Sequence, residues 1–423
     1  ALGSRFARLP LFDTLSQIVG DEYKDKGVHS DSIVDVRFQH RDASIVQANE
    51  NLRDVLFEGD MVVSTEFLSR VVDSSLRRQG RGRRQAFVDS TYPDSIWSSG
   101  VPYNSMIRAI DFWGAETCID FFPRTTERQY IKVVGDGDGC WSSVGRDSKQ
   151  GAQTVSIGNG CSHFGVTSHE LAHALGLFHE QSRYDRDDHV SLNPSRVPSN
   201  LLYNFAKIGA TEMETYRMPY DIGSVMHYAP TEFAVDRRFP ALSSVDPLLQ
   251  FSMGSLYGPS FIDVALMNVH YSCPSGFGGA QCEEVQSSFS PACGGIVQVG
   301  EDVRRFSITI RQNETVREKK CIYHLQAPPN RRILVNVLSM EARCVEGCYV
   351  DSAEFKMTAD LRPVGYRVCC GEQRSSRLSS IGSVVPAIFM STQRTFSIRF
   401  EYTLYSRRKA RRLEEIEETV VVV

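Results

Sequence analysis

The chain has 423 residues, 41% of them hydrophobic and 23% charged, with a formal net charge of −4. At roughly 150 residues per domain that length allows about three domains, and the composition excludes a wholly disordered chain. It carries no electrostatic footprint for nucleic acid, and no run reaches the roughly 20 apolar residues of a membrane-spanning helix, the terminal valines included.

Taken in chain order, the first 84 residues hold no cysteine. The stretch Leu9 to Val19 has the apolar spacing of a helix. The segment ends in Arg81-Gly82-Arg83-Arg84. As plain chemistry this is a solvated basic loop. Read functionally, it is a cleavage site for a convertase-type protease, cutting between Arg84 and Gln85. Residues 85–272 read as one mixed α/β domain. A helix is expected over Asn104 to Thr117, and strands over Cys118 to Phe122, Tyr130 to Val134 and Thr154 to Ile157. A second helix opens near Val166.

Eleven cysteines follow an uneven distribution. Three stand at 118, 140 and 161, and the rest lie between 273 and 370. That pattern fits disulfide-bonded modules in an oxidising compartment, so the chain is expected to be secreted. An odd count leaves at least one cysteine without an intramolecular partner. The chain begins at Ala1 with no basic stretch and apolar core, so a signal peptide has either been removed or was never present, and the cysteines favour removal. A short Gly-rich piece runs from Cys273 to Cys282. Residues 293–403 carry strand-like runs such as Phe306 to Ile310 and Ile333 to Val337, which predict an all-β module. Residues 404–423 form a charged tail, read as a frayed helix or a solvated segment rather than a binding site.

The chemistry concentrates in His169-Glu170-Leu171-Ala172-His173-Ala174-Leu175-Gly176-Leu177-Phe178-His179. Histidines four apart project from one helix face and share a single ion. Imidazole nitrogens suit zinc, which in catalytic sites keeps a position open. Glu170 flanks that face, where it takes a proton from an activated water. Gly176 supplies the left-handed residue that ends a helix, after which the chain returns His179 as a third ligand. Downstream, Ser224-Val225-Met226-His227-Tyr228 places a methionine in a tight turn as an apolar floor beneath the histidines. The Tyr228 phenol reaches toward the metal.

These motifs together resemble the astacin family of zinc endopeptidases, within the metzincins. The pattern continues past the third histidine through Glu180, Arg183 and Asp185-Arg186-Asp187. Further matches are Thr117 to Phe121, Pro123 to Glu127, Gly139 to Arg146 and Gly160-Cys161, so the resemblance covers nearly all of residues 95–273. It implies an α+β catalytic domain over 85–273 with a zinc helix and Met-turn. His169, His173 and His179 would bind one Zn2+, and Glu170 would be the general base. Tyr228 would be a further zinc ligand at rest that swings away to stabilise the oxyanion. Glu180 would help anchor the new N-terminus, although the residues from Gln85 to Trp97 exceed the usual length there. Phe57-Glu58-Gly59-Asp60 resembles the propeptide signature in which the aspartate ligates zinc, making residues 1–84 a propeptide and Asp60 its switch. Implied disulfides are Cys118–Cys273 and Cys140–Cys161. Cys273 and Cys282 also match the last cysteine pair of an EGF-like module, here a remnant over 273–284, so either Cys118 or Cys282 would be left free. Related enzymes carry an arginine where this chain has Gly254-Ser255-Leu256, so an acidic subsite preference is not implied.

Residues 293–403 resemble a CUB domain, implying a bridge Cys293–Cys321 and one between the Cys344/Cys348 pair and the Cys369/Cys370 pair, in either connectivity. Some such domains bind calcium through acidic loops, which makes Asp351 a candidate Ca2+ ligand; the plainer expectation is a solvated aspartate. Asn313-Glu314-Thr315 is a glycosylation sequon. The expected activity is hydrolysis of extracellular protein or peptide substrates by a zinc endopeptidase. The competing reading, a silent binding protein built on the CUB-like module, predicts a lost ligand or base, and none is lost.

Overall fold

The computed structural model describes residues 9–24, 44–77, 84–87, 101–103, 106–135, 139–146, 151–273, 293–311, 319–373, 376–391 and 395–406. The remnant between Cys273 and residue 284, the sequon at Asn313 and the tail beyond residue 406 lie outside them, as does Cys282. The chain divides into two compact units, meeting in sequence near residue 282. No helix among the described residues is long and apolar enough to cross a membrane.

In the first unit, the expected N-terminal helix runs longer than its apolar pattern, as α1 (Pro10–Lys24). Phe12, Leu15, Val19 and Tyr23 recur at helical spacing and are all buried, each stabilising by roughly 1.5–3 kcal/mol on full burial. Phe12 stacks on Tyr203 at 4.2 Å between ring centroids. A short helix α2 (Ile45–Ala48) is opened by a capping box from Ser44 to Gln47. Strand β1 (Met61–Val62) and helix α3 (Thr65–Arg77) complete this N-terminal segment.

Next come β2 (Arg84–Phe87), β3 (Val101–Tyr103), α4 (Ile107–Glu116), β4 (Phe121–Pro123), β5 (Tyr130–Val134), β6 (Cys140–Ser143), β7 (Ala152–Ile157) and α5 (Phe164–Leu175). The strand expected from Cys118 begins three residues later. Thr117 accepts from Ile119 N and donates to Trp113 O, closing α4 before a strand can start. Arg84, expected in a loop, is in strand: β2 pairs antiparallel with β9 (Met213–Glu214), with irregular register around Gln85. The central sheet has the order β1-β6-β7-β5. Its edge is therefore the N-terminal segment's own β1, parallel to β6, with Met61 opposite Ser142. A small ribbon of β8 (Val190–Leu192) and β10 (Leu242–Ser244) and the helix α6 (Phe261–His270) finish the unit. Cys118–Cys273 and Cys140–Cys161 are bonded, which settles the partner of Cys273.

The second unit is a β-sandwich. One sheet contains the strands Gly295–Gln298, Lys319–Gln326, Val384–Ser391, Asp351–Phe355 and Tyr366–Val368; the other contains Arg304–Arg311, Thr395–Leu404, Ile333–Glu341 and Arg377–Ser379. Between them Phe355, Phe389 and Phe400 pack at centroid distances of 5.3 to 6.1 Å. Cys293–Cys321 is bonded, and the open connectivity resolves as Cys344–Cys370 with Cys348–Cys369. The expectation of a solvated Asp351 is corrected. The residue is buried, its carboxylate accepting from Arg343 N at 3.1 Å and Ser391 Oγ at 2.7 Å. Strand pairing of Asp351 with Ser391 brings this about.

Glu354 is buried as well, 3.1 Å from Arg367 Nε and 3.6 Å from Lys356 Nζ. Burial opposes ionisation, but Lys356 and Arg367 outweigh it and hold the carboxyl at about 2 rather than 4.5. A depressed folded value means stability that is present above the unfolded value and lost as pH falls toward the folded one. Glu354→Gln is expected to cost about 3 kcal/mol at neutral pH. Denaturant unfolding should show that difference shrinking below pH 4.5 and vanishing near pH 2. A pH-independent loss would assign the effect to packing.

Candidate metal centre

Helix α5 is buried at every position from Val166 to Leu175 apart from Thr167, which places its two histidines in the interior. It ends in a Schellman motif. Gly176 N donates to His173 O at 2.8 Å and Leu177 N to Ala172 O at 2.9 Å. Gly176 sits at φ +113°, and a Cβ there would stand 2.9 Å from His270 Nε2. Glycine thus serves both the left-handed turn and the close approach of α6. The reversal returns His179 beside the helix, and Glu180 N donates to Met226 O at 2.9 Å, tying this loop to the methionine turn. Met226 is fully buried, in the same core cluster as Leu171, Ala172 and Leu175 of the helix. Asp263, in the first turn of α6, braces that turn from behind, accepting from Ser224 Oγ at 2.6 Å and Val225 N at 3.0 Å.

The three imidazoles are oriented by their outer nitrogens. His169 Nδ1 lies 2.8 Å from Val225 O, His173 Nδ1 2.7 Å from Leu177 O, and His179 Nδ1 2.9 Å from Glu58 Oε2. Each Nε2 therefore faces inward. There they meet Asp60, whose Oδ2 is 3.2 Å from both His169 Nε2 and His179 Nε2, while Oδ1 is 3.5 Å from His173 Nε2. His169 Nε2 and His179 Nε2 are themselves 3.2 Å apart. For metal bonds of about 2.0–2.1 Å a tetrahedron has edges of about 3.3–3.4 Å, so these separations suit one zinc ion held by three imidazoles and a carboxylate. Polar atoms left over agree: Asp60 Oδ1, His173 Nε2 and both Glu170 oxygens are buried without a hydrogen-bond partner among the described residues. An ion gives the first two a partner and Glu170 a nearby positive charge.

Electrostatics separate the two central carboxyls. Asp60 is held well below the usual carboxylate range: burial opposes this, but the surrounding His179, His169 and His173 prevail. Glu170 is pushed well above it by burial and then by the charge of Asp60. His173 is lowered to about 4 by burial.

With the N-terminal segment in place, the Tyr228 phenol donates to the backbone carbonyl of Glu58 at 2.5 Å, and Asp60 joins the three histidines in the candidate metal-ligating group, as expected of it. Glu180 is buried and accepts from Arg183 Nη1 at 3.1 Å and Asp221 N at 2.7 Å. Two contributors escape the sequence reading. Gln181 accepts from Tyr228 N at 3.0 Å, holding that residue's backbone. Glu58 touches both His179 and Tyr228. Its only sequence signal is an acidic side chain two residues before Asp60.

A candidate zinc site of two histidines from a His-Glu-x-x-His helix and a third from the loop beyond it, on a two-unit chain with a β-sandwich, agrees with what known proteins show. The family model of the Astacin peptidases matches residues 95–272, and that of the CUB domain matches 293–403. Zinc metalloproteinase nas-29 of Caenorhabditis elegans is 46% identical over 450 residues, covering 94% of this chain and 85% of that protein. The chain belongs to the astacin family. It is a zinc metalloproteinase with a CUB domain. Zinc metalloproteinase nas-23 of Caenorhabditis elegans is 39% identical, covering 94% of this chain and 81% of its own. Among solved structures, high choriolytic enzyme 1, a hatching enzyme zinc-protease from Oryzias latipes (Medaka fish), is 31% identical, covering 45% of this chain and 95% of its own with a TM-score of 0.38.

Proposed function

We propose that this astacin is the latent form of a secreted endopeptidase. In this reading residues 1–84 are its propeptide, residues 85–273 its catalytic domain and residues 273–284 an EGF-like remnant. Residues 293–403 are a CUB-like recognition module, and residues 404–423 a charged tail. The observation that carries latency is Asp60 seated among His169, His173 and His179 while its own strand β1 extends the central sheet along β6. A carboxylate ligand there leaves no room for the water that a catalytic zinc site keeps. Cleavage between Arg84 and Gln85 by a convertase-type protease would free the segment. The bonded cysteine pairs support an oxidising, extracellular setting, with Asn313 a glycosylation site.

In the active enzyme the zinc, when bound, supplies Lewis acidity toward water and the scissile carbonyl. Glu170, buried and without a hydrogen-bond partner among the described residues, takes the proton from the attacking water and returns it to the leaving amine. Tyr228, released from Glu58, donates its phenol hydrogen to the developing oxyanion. Gln181 keeps Tyr228 in range through its bond to the Tyr228 amide. Substrates are extracellular proteins or peptides cut at internal bonds.

The test is peptide hydrolysis by the secreted chain before and after convertase treatment, with and without a zinc chelator. Chelator-sensitive hydrolysis is expected only after cleavage at Arg84. A broad peptide library left intact, despite stoichiometric zinc and confirmed cleavage, would overturn the reading in favour of a silent binding protein.

A further inference from the structure

The zinc-facing histidines differ in where their outer partners reside. Val225 O and Leu177 O, which hold His169 and His173, belong to the part of the chain that survives cleavage at Arg84. The partner of His179 does not. Its Nδ1 faces Glu58 Oε2 at 2.9 Å, and both side chains are fully buried. The same ring meets Asp60 Oδ2 with its other nitrogen at 3.2 Å. One imidazole is thus clamped between two carboxylates from the N-terminal segment. The backbone is shaped for this: Glu58 sits at φ +50° and Gly59 at φ +80°, successive left-handed residues that turn the chain between the two acids. A non-glycine residue there is uncommon and costs conformational energy. The carbonyl of the same Glu58 takes the Tyr228 phenol at 2.5 Å.

A carboxylate on the outer nitrogen of a zinc-binding histidine fixes its tautomer and raises its basicity, and losing such a partner typically costs about 10–100-fold in metal affinity. We infer that Glu58 is a positioning residue for the zinc ligand His179, present only in the latent chain. This rests on the reading of residues 1–84 as a removable propeptide. Activation then withdraws an inner ligand and an outer carboxylate in one step, and the mature enzyme holds zinc less tightly than its precursor.

The experiment measures zinc release to a chromophoric chelator from the zinc-loaded, uncut full chain. Glu58→Gln preserves shape and hydrogen-bond acceptance but removes the charge, so a purely structural role survives it. Release is expected to be about 10–100-fold faster than wild type. A rate within about twofold of wild type, in a variant with unchanged melting behaviour, overturns the inference. Should Glu58→Gln not fold, 15N-histidine NMR of wild type serves instead. The solvent-protected Nδ1–H of His179 is expected before cleavage and lost after it, while those of His169 and His173 persist. Persistence of all three overturns the inference equally. Peptide hydrolysis after cleavage is scored separately: its absence sinks the protease reading, whereas unchanged release rates sink only the role of Glu58.

Discussion

Replacing Glu170 with Ala is expected to lower kcat/KM of the cleaved enzyme by about 10²–10⁴-fold, the usual worth of a general base, with zinc still bound at one per chain. The reasoning is geometric before it is electrostatic. The four ligand atoms come from Asp60, His169, His173 and His179, and Glu170 is not among them. Its carboxylate oxygens are instead buried and unpartnered among the described residues, so they are available to a proton and dispensable to the ion. In the uncut chain burial and the charge of Asp60 hold this carboxyl well above its ordinary value. Withdrawal of Asp60 removes the second cause, moving Glu170 toward the ionised form a base requires. The acid limb of the kcat/KM profile should report that titration and be abolished, with the activity, in Glu170→Gln. Kinetics and metal analysis on the same samples decide the matter. Zinc lost in step with activity would show that Glu170 acts by retaining the ion, and near-normal turnover would require a different base.

Much of this centre was legible in the residues because its logic is local. The four-residue spacing of His169 and His173, the left-handed Gly176 and the return of His179 all follow from helix geometry, and α5 forms as expected. Strand Tyr130–Val134 matches its expected bounds for the same reason, an apolar run bounded by loop residues. What resisted reading depends on distant chain. Adjacent cysteines at 369 and 370 have nearly equivalent spacings to 344 and 348, so spacing leaves open what the folded chain resolves as Cys344–Cys370 and Cys348–Cys369. Asp351 reads as an exposed acid until strand pairing sets it against Ser391. Tyr228 and Glu58 are 170 residues apart. Their bond requires two left-handed residues in an N-terminal turn and a methionine turn in the catalytic domain to converge, and no periodicity encodes that. Pairing of Arg84 with Glu214 is likewise a tertiary fact: a residue suited to a loop was recruited into strand by a neighbour far downstream.

Replacing Asp60 with Ala should make the uncut precursor leaky. Breaking one partner of a buried charged cluster costs about 3–5 kcal/mol, and that loss falls on the closed state alone. The open fraction should therefore rise by about 10²–10⁴-fold. Hydrolysis by the uncut variant is nevertheless expected to stay below that of the cleaved enzyme, because the remaining contacts of the segment do not involve Asp60. Strand β1 keeps its pairing with β6, and Phe57 and Met61 keep their burial. Tyr203 Oη still donates to Arg53 O at 2.7 Å and Leu56 O at 3.1 Å. At the far end Arg186 Nη2 still donates to Tyr23 Oη at 2.6 Å, and Tyr23 Oη to Asp187 Oδ1 at 2.8 Å. The measurement is peptide hydrolysis by Asp60→Ala in a chain made uncleavable by Arg84→Gln, with intact mass confirmed after the assay. An uncut variant as silent as wild type would mean that occlusion by the segment, rather than the aspartate on the ion, maintains latency. A variant as active as the cleaved enzyme would mean that the α1 and β1 contacts contribute nothing to it. The intermediate outcome separates the two functions of one segment: Asp60 occupies the ion, while the helix and strand around it keep the segment docked.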